Sequence, residues 1–468
     1  MKGRELQNLG VPRGAAMAVA LEGAKAAGRA GWKKPAIRAA VEAVLAVPNE
    51  HLNHEIFGEL ACVLTAAERD RATFRPRAAP APYRQWGEGL EAQSVQQMVN
   101  ACALPVAVAG ALMPDAHVGY GLPIGGVLAT DNAVIPYAVG VDIACRMKLT
   151  VLDLPPALLH GESARLEKAL ERETNFGVGG TFKTRREHDV LDRDWNVSPI
   201  TRQAKDKAWA QLGTSGSGNH FVEFGELTVL AEARGDLGLE PGTYLALLSH
   251  SGSRGTGAAV ADHYSRRAME THPELPKELK HLAWLDLDSE DGAEYWAAME
   301  LMGHYAAANH AVIHRHMARA LGAEVLLDVE NHHNFAWKEV HLGRRLVVHR
   351  KGATPAGKGV LGIIPGTMAD PAYLVRGLGH PESLDSASHG AGRRMSRKAA
   401  HNAFTWHETK KLLTERGVKL LSAGLDEAPM AYKDINTVMA AQADLVEPIG
   451  RFRPRLVKMA PAGERPED

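Results

Sequence analysis

A carboxylate and a thiol stand three residues apart in Val139-Gly140-Val141-Asp142-Ile143-Ala144-Cys145, just after the apolar, strand-like run Asn132 to Val139. At that spacing Asp142 and Cys145 can face one pocket and hold a divalent metal. Two ligands do not complete such a site, so imidazoles must come from elsewhere in the chain. Three occur in polar settings, the first two rich in glycine: His220 in GTSGSGNHF, His250 in LLSHSGSRG and His333 in ENHHNFAW. Glycines beside a ligand let the backbone approach closely. Asp-x-x-Cys alone has a structural alternative, because a buried cysteine commonly behaves as a small hydrophobe.

A second chemistry is suggested by Ser386-Ala387-Ser388-His389-Gly390-Ala391-Gly392-Arg393-Arg394. Small residues expose backbone N–H groups, and arginine suits bidentate contact with phosphate oxygens. An imidazole there can attack phosphorus. The alternative is a tight turn before a helix with a solvated basic face. His349 to Thr354 and Ile364 to Met368 offer further phosphate contacts. GTSGSGNHFVEF has the glycines of a nucleotide loop, yet it fits neither G-x-x-x-x-G-K-[ST] nor G-x-G-x-x-G before a helix, which excludes P-loop and Rossmann readings.

The elements that must position these groups are mixed. Residues 13 to 71 carry apolar residues at helical spacing, and three prolines in Phe74 to Pro82 predict an extended linker with a boundary near residue 83. Glu91 to Ala103 reads as an amphipathic helix, followed by the glycine-rich MPDAHVGYGLPIGGV. Beyond it, short β-rich runs (YLALLSH, EVLLDVEN, RRLVVHR) alternate with loops and the helical EYWAAMELMGHYAAANHAVIHRHMARALG. Ser396 to Arg416 reads as one helix, and the tail GERPED as disordered. The pattern predicts an α+β fold with function on the loops. At 468 residues the length prior alone suggests about three domains and leaves the count open. A net charge of -1 gives no global basic field, so a polyanion site must be local. Three unpaired-looking cysteines, Cys62, Cys102 and Cys145, argue for a reducing compartment. With no signal-like or membrane-length apolar run, a cytoplasmic protein without a membrane partner is expected.

Taken together, these segments resemble the RtcB family of RNA-splicing ligases. VGVDIAC is similar to the family's VGVDIGC and GTSGSGNHFVE to its GTLGGGNHFIE, and HSGSRG, HNFA, HRKGAT, IPG-x-M, SxxHGAGR and AYKD follow in the family's order over roughly residues 88 to 459. The resemblance implies one large catalytic domain with a central mixed β core over 84–468, behind a helical extension and linker over 1–83. It implies two Mn²⁺ ions bridged by Cys145, one completed by His250 and His333, the other by Asp142 and His220. Carboxylate and imidazole suit Mn²⁺, whereas thiolate is a softer ligand. It further implies that His389 becomes guanylylated by GTP. The GTP pocket would comprise Asn219, His220, Phe221, Val222, Glu223, His333, Asn334, Pro365, Gly366, Thr367, Met368, His389, Gly390, Ala391 and Gly392, with Lys458 reading the guanine. By composition alone, Lys458 reads as a solvated tail charge.

The implied reaction joins an RNA 3′-phosphate or 2′,3′-cyclic phosphate end to a 5′-hydroxyl end, with an archease-type activating partner in some relatives. Two other readings compete: a binuclear-metal phosphoesterase and a noncatalytic RNA-binding homologue. This chain departs from the family pattern at Ala144, Arg146, Ser215, Ser217, Pro355 and Ala372, and Arg146 and Pro355 are expected to bear on RNA-end preference.

Overall fold

Apolar runs pair into a large sheet whose strands lie in the order Leu361–Ile364, Ala372–Gly377, Val446–Met459, Phe221–Val229, Gly242–Ser251, Arg146–Leu152 and Val325–His332. Every neighbouring pair along this path is antiparallel, and Lys419–Ser422 adds a parallel partner to Val446–Met459. These positions come from a computed structural model, which describes residues 1–71, 74–233, 235 and 237–463.

Both faces of the central strands are covered, which explains their nearly continuous apolar composition. One face buries Met147, Leu149, Leu227, Leu248, Leu374 and Phe452. The other buries Val222, Phe224, Leu245 and Leu247 against Ile313, Met317 and Leu321 of the helix Glu290–Leu321. That helix is bounded by Ser289, whose hydroxyl accepts from the Gly292 N–H, and by Gly322 in the left-handed conformation. Asn331 joins the two end strands: its amide accepts from Ile363 N at 2.8 Å and donates to Ile363 O at 3.2 Å, as a strand backbone would.

A second sheet runs Tyr83–Gln85, Ala107–His117, Ile124–Thr130, Arg344–Lys351 and Asn334–His341, parallel in its first pair and antiparallel thereafter. A two-stranded ribbon pairs Ala353–Pro355 with Ser386–Ser388. The architecture is α+β with a central sheet.

The chain divides into two compact units, Met1–Arg75 with His272–Lys277, and Pro76–Thr271 with Glu278–Asp468. In the smaller unit, helices Gly3–Asn8, Ala15–Arg29, Lys34–Ala46 and Gly58–Arg71 enclose a core of Leu6, Ala20, Ala24, Ile37, Val41, Phe57 and Leu60. The proline-rich stretch is extended, and Arg77 N and Ala81 N donate to Ala103 O and Cys102 O within the larger unit.

Three local expectations differ from the structure or fall beyond it. The run Asn132 to Val139 is not one strand: Ala133–Val134 is followed by a helical turn, Pro136–Val139, which Pro136 starts because its fixed φ suits a first helical position. The helix expected over 396–416 is two, Arg397–Ala403 and Trp406–Arg416. Thr405 and Glu408 form a capping box that begins the second. The expected disorder of GERPED lies, from residue 464 on, outside the described residues. Among the described residues no helix is long and apolar enough to cross a membrane.

Candidate active site

Four of the five proposed metal ligands lie at one end of four adjacent strands. His220 immediately precedes Phe221–Val229, His250 is next to last in Gly242–Ser251, Cys145 immediately precedes Arg146–Leu152, and His333 immediately follows Val325–His332. Because these strands are antiparallel neighbours, starts and ends alternate along one edge, and strand spacing of about 4.8 Å sets the ligand spacing. Asp142 reaches the cluster from the preceding loop. Cys145, His250 and His333 form one group able to hold a metal, and Asp142, Cys145 and His220 form another, each with ligand atoms within 4.8 Å of one another. Cys145 belongs to both.

The donor set fits cations. His220 Nδ1 lies 3.0 Å from Ser215 O and His250 Nδ1 3.2 Å from Asn219 O. A carbonyl only accepts, so each Nδ1 carries the proton and each Nε2 presents a lone pair to the cluster. Yet His250 Nε2 is 3.1 Å from His333 Nε2, and Cys145 Sγ is 3.1 Å from His250 Nε2 and 3.4 Å from His220 Nε2. Such a convergence of lone pairs calls for positive charge between them. Burial pushes His250 down to about 3, with His220 adding to the effect, and burial drives His333 down as well, so both imidazoles are neutral and able to ligate. Burial alone would raise Asp142, but His220 and the Arg254 guanidinium outweigh it and hold the carboxyl below its usual range.

The loop that carries Asp142 and Cys145 is stitched down on both sides. Ser253 Oγ donates to Ile143 O at 2.6 Å, Ser253 N to Asp142 Oδ1 at 3.1 Å, Ala144 N to Asn334 O at 2.7 Å and His333 N to Cys145 O at 3.0 Å. Gly252 makes this possible, since a Cβ there would sit 2.2 Å from Asp142 Oδ1. Ala144 and Arg254 both hold positive φ, +58° each, a strained conformation for side-chain-bearing residues that clusters at functional sites.

His389 stands directly after the ribbon strand Ser386–Ser388, with its ring centroid 5.0 Å from that of His333. Its Nδ1 is 2.7 Å from Asp115 Oδ2, and the His389 and Gly390 N–H groups donate to the same oxygen at 3.2 and 3.4 Å. Asp115 is fully buried. Burial would raise its pKa, yet the bond to His389 and the charges of His389, His117 and Lys433 bring it below the usual carboxylate range. Lys433 of the AYKD motif donates to Pro114 O and Ala116 O, at 3.1 and 2.7 Å, clamping the acid from both sides. With Nδ1 engaged, Nε2 is the nitrogen left for nucleophilic attack.

Metal cluster and His389 share a cavity of about 690 Å³. Of the expected pocket residues, Asn219, His220, Phe221, Glu223, His333, Asn334, Pro365 to Met368 and His389 to Gly392 line it. Val222 and Lys458 do not. They pair with each other across the sheet, as Glu223 pairs with Val457 and Phe221 with Met459, and strand alternation turns the two sets to opposite faces. Lys458 Nζ lies 3.4 Å from Leu170 O and 5.9 Å from the Phe176 ring centroid. Burial pushes the Glu223 carboxyl well above its usual range.

Arg146 and Pro355 do not line the cavity either. Arg146 donates to Glu330 Oε1 at 3.1 Å and to Gly303 O at 3.0 Å, tying its strand to the long helix. Pro355 sits in the ribbon opposite Ser386. Asp115 and Lys433 are the functional candidates that sequence reasoning passed over, although MPDAH and AYKD had both been noted as segments.

The family model described as tRNA-splicing ligase RtcB matches residues 97–198 and 184–459. RNA-splicing ligases RtcB1 and RtcB from two Escherichia coli strains, the second K12, are each 34% identical to the chain over 419 residues, covering 80% of it and 96% of the relative. A tRNA-splicing ligase RtcB from Methanococcus maripaludis is 30% identical over 452 residues, covering 80% of the chain and 92% of the relative. The chain belongs to the RtcB family.

Proposed function

We propose that the protein is a GTP- and Mn²⁺-dependent RNA ligase that joins RNA 3′-phosphate or 2′,3′-cyclic phosphate ends to 5′-hydroxyl ends through a histidine–GMP intermediate on His389. The observation that carries this reading is the Asp115–His389 pair, at 2.7 Å, in the same cavity as a ligand set that shares one thiolate between two metal-sized groups. A hydrolase that only activates water has no need of a buried carboxylate fixing an imidazole as nucleophile. The names of the relatives support the ligase class.

In this mechanism His389 Nε2 attacks the α-phosphorus of GTP. A P–N bond forms and pyrophosphate departs, while Asp115 stabilises the positive charge that develops on the ring. A 2′,3′-cyclic end is first opened by water, which breaks the P–O2′ bond and leaves a 2′-hydroxyl; an oxygen of the RNA 3′-phosphate then takes the guanylyl group and frees His389. Finally the 5′-hydroxyl attacks the activated 3′-phosphate, forming the phosphodiester and expelling GMP. Two Mn²⁺ ions held by Asp142, Cys145, His220, His250 and His333 would orient the phosphates and neutralise charge. Glu223 lines the cavity, and the paired N1–H and N2–H donors of a bound guanine would favour its ionised form, which burial alone disfavours. An archease-type activator remains part of the expectation from the family.

The test is incubation of purified protein with labelled GTP and Mn²⁺. A phosphoramidate on His389, labile in acid and stable in alkali, should form and be absent in His389→Ala, and joining should require a 5′-hydroxyl. Ligation by His389→Ala, or an acid-stable adduct, would refute the mechanism.

A further inference from the structure

We infer that Tyr120 is a stacking platform for the nucleobase at an RNA end entering the cavity, an assignment that rests on the RNA-ligase reading of the site. Tyr120 lines the mouth of the cavity and is 65% exposed. Exposure alone argues little, because isolated apolar side chains on a surface are common. The support beneath this ring is what distinguishes it.

Tyr120 contacts the His281 ring edge-on, with centroids 5.7 Å apart, and His281 in turn contacts Tyr137 at 4.5 Å. Gly121, at φ +73°, lets the loop lie against His281, where a Cβ would come within 2.7 Å of the His281 carbonyl oxygen. Lys351 Nζ donates to Tyr120 O at 2.6 Å and to Tyr137 O at 2.9 Å, so one buried amine fixes both tyrosine backbones. An exposed ring thus stands on an ordered aromatic and hydrogen-bonded base.

Its place relative to the chemistry is set by the next residue. Gly352 follows Lys351, and a Cβ there would lie 3.1 Å from His389 Cε1. The residue that fixes the Tyr120 backbone is therefore followed directly by one that lies against the His389 ring. Arg394 also lines the cavity and is exposed, and its guanidinium has no hydrogen-bond or ion-pair partner among the described residues, which suits it to a backbone phosphate. Glu91, an acid also lining the cavity, accepts from Val118 N at 3.4 Å. Stacking on an aromatic face tolerates any base, as a ligase acting on ends of varied sequence requires.

The test uses full-length protein and oligoribonucleotides carrying 2-aminopurine as the terminal base, in one set at a 5′-hydroxyl end and in another at a 3′-phosphate end. Wild type should quench the fluorescence of one set, which identifies the end that stacks. Tyr120→Ala should abolish that quench and raise KM for RNA by about tenfold or more, with kcat changed far less, and Tyr120→Phe should restore both. The guanylyl adduct on His389, which needs no RNA, is read in the same preparations. Adduct formation with no quench in either set, or with Tyr120→Ala quenching and ligating as wild type does, would overturn the platform and leave the ligase reading intact. A quench lost in Tyr120→Ala, in a wild type that forms no adduct, would uphold the platform and refute the ligase reading.

Discussion

Replacing Asp115 by asparagine isolates the charge that the structure places behind His389. Asp115 Oδ2 accepts three N–H groups, from His389 Nδ1, His389 N and Gly390 N, while Oδ1 is buried with no hydrogen-bond partner. Asparagine can set its oxygen at the Oδ2 position and its NH₂ at the Oδ1 position, so the three donors now bound to Oδ2 keep an acceptor and the shape is preserved, while the NH₂ takes the place of an oxygen that already has no partner. What disappears is the charge on the acceptor. A hydrogen bond to a charged group contributes about 1.5–3 kcal/mol against about 0.5–1.5 kcal/mol for a neutral one. A difference of roughly 1–2 kcal/mol, expressed as the ring becomes cationic during attack, corresponds to about a 5- to 30-fold slower step. The assay is the single-turnover rate of the acid-labile GMP adduct, measured beside the melting temperature. Asp115→Asn should slow adduct formation by that factor while melting close to wild type. Asp115→Ala leaves three donors without their acceptor and should be strongly destabilised. An Asp115→Asn rate equal to wild type in a protein of unchanged stability would refute the electrostatic role of Asp115.

Three further outcomes are expected. Cys145→Ala should lose both metals together, because each candidate group contains Cys145, and elemental analysis finding two ions per chain in the variant would disprove the bridge. Glu223→Gln should weaken GTP use by about tenfold, since an amide can accept only one of the two guanine donors well, and an unchanged KM for GTP would remove Glu223 from base recognition. Glu339 bonds His341 Nε2 at 2.8 Å and the buried Arg350 at 2.7 and 3.0 Å; burial would raise its pKa, but these partners bring it from 4.5 down to about 2. A depressed carboxyl contributes stability that is present above its unfolded pKa and lost as pH falls through the folded one. Glu339→Gln should thus cost about 2–3 kcal/mol at pH 7, with the gap from wild type closing between about pH 4.5 and 2. Urea unfolding showing the same gap at both ends of that window would contradict this assignment.

The sequence by itself determined the residue types and the local geometry. Asp142 and Cys145 share a short stretch, His220 and His250 sit near glycines, His333 lies in a polar run, and His389 precedes two glycines and two arginines. Ser289 and Gly322 mark helix ends through local hydrogen bonding, whereas the capping box of Thr405 and Glu408 divides a run that reads as one helix from its residues alone. Only the tertiary structure decided which of these groups meet. Strand order sets His220, His250, Cys145 and His333 side by side, although their order in the sheet is not their order in the chain. Asp115 lies 274 residues from His389, and no local pattern records that pairing. Tertiary contacts also decide direction: Arg146 stands one residue beyond a metal ligand yet turns to Glu330 and Gly303, and Lys458 faces away from the cavity that Val457 and Met459 line. The physical reason is that a strand alternates its side chains with a period of two residues, so register against a partner strand, set by distant contacts, chooses the face.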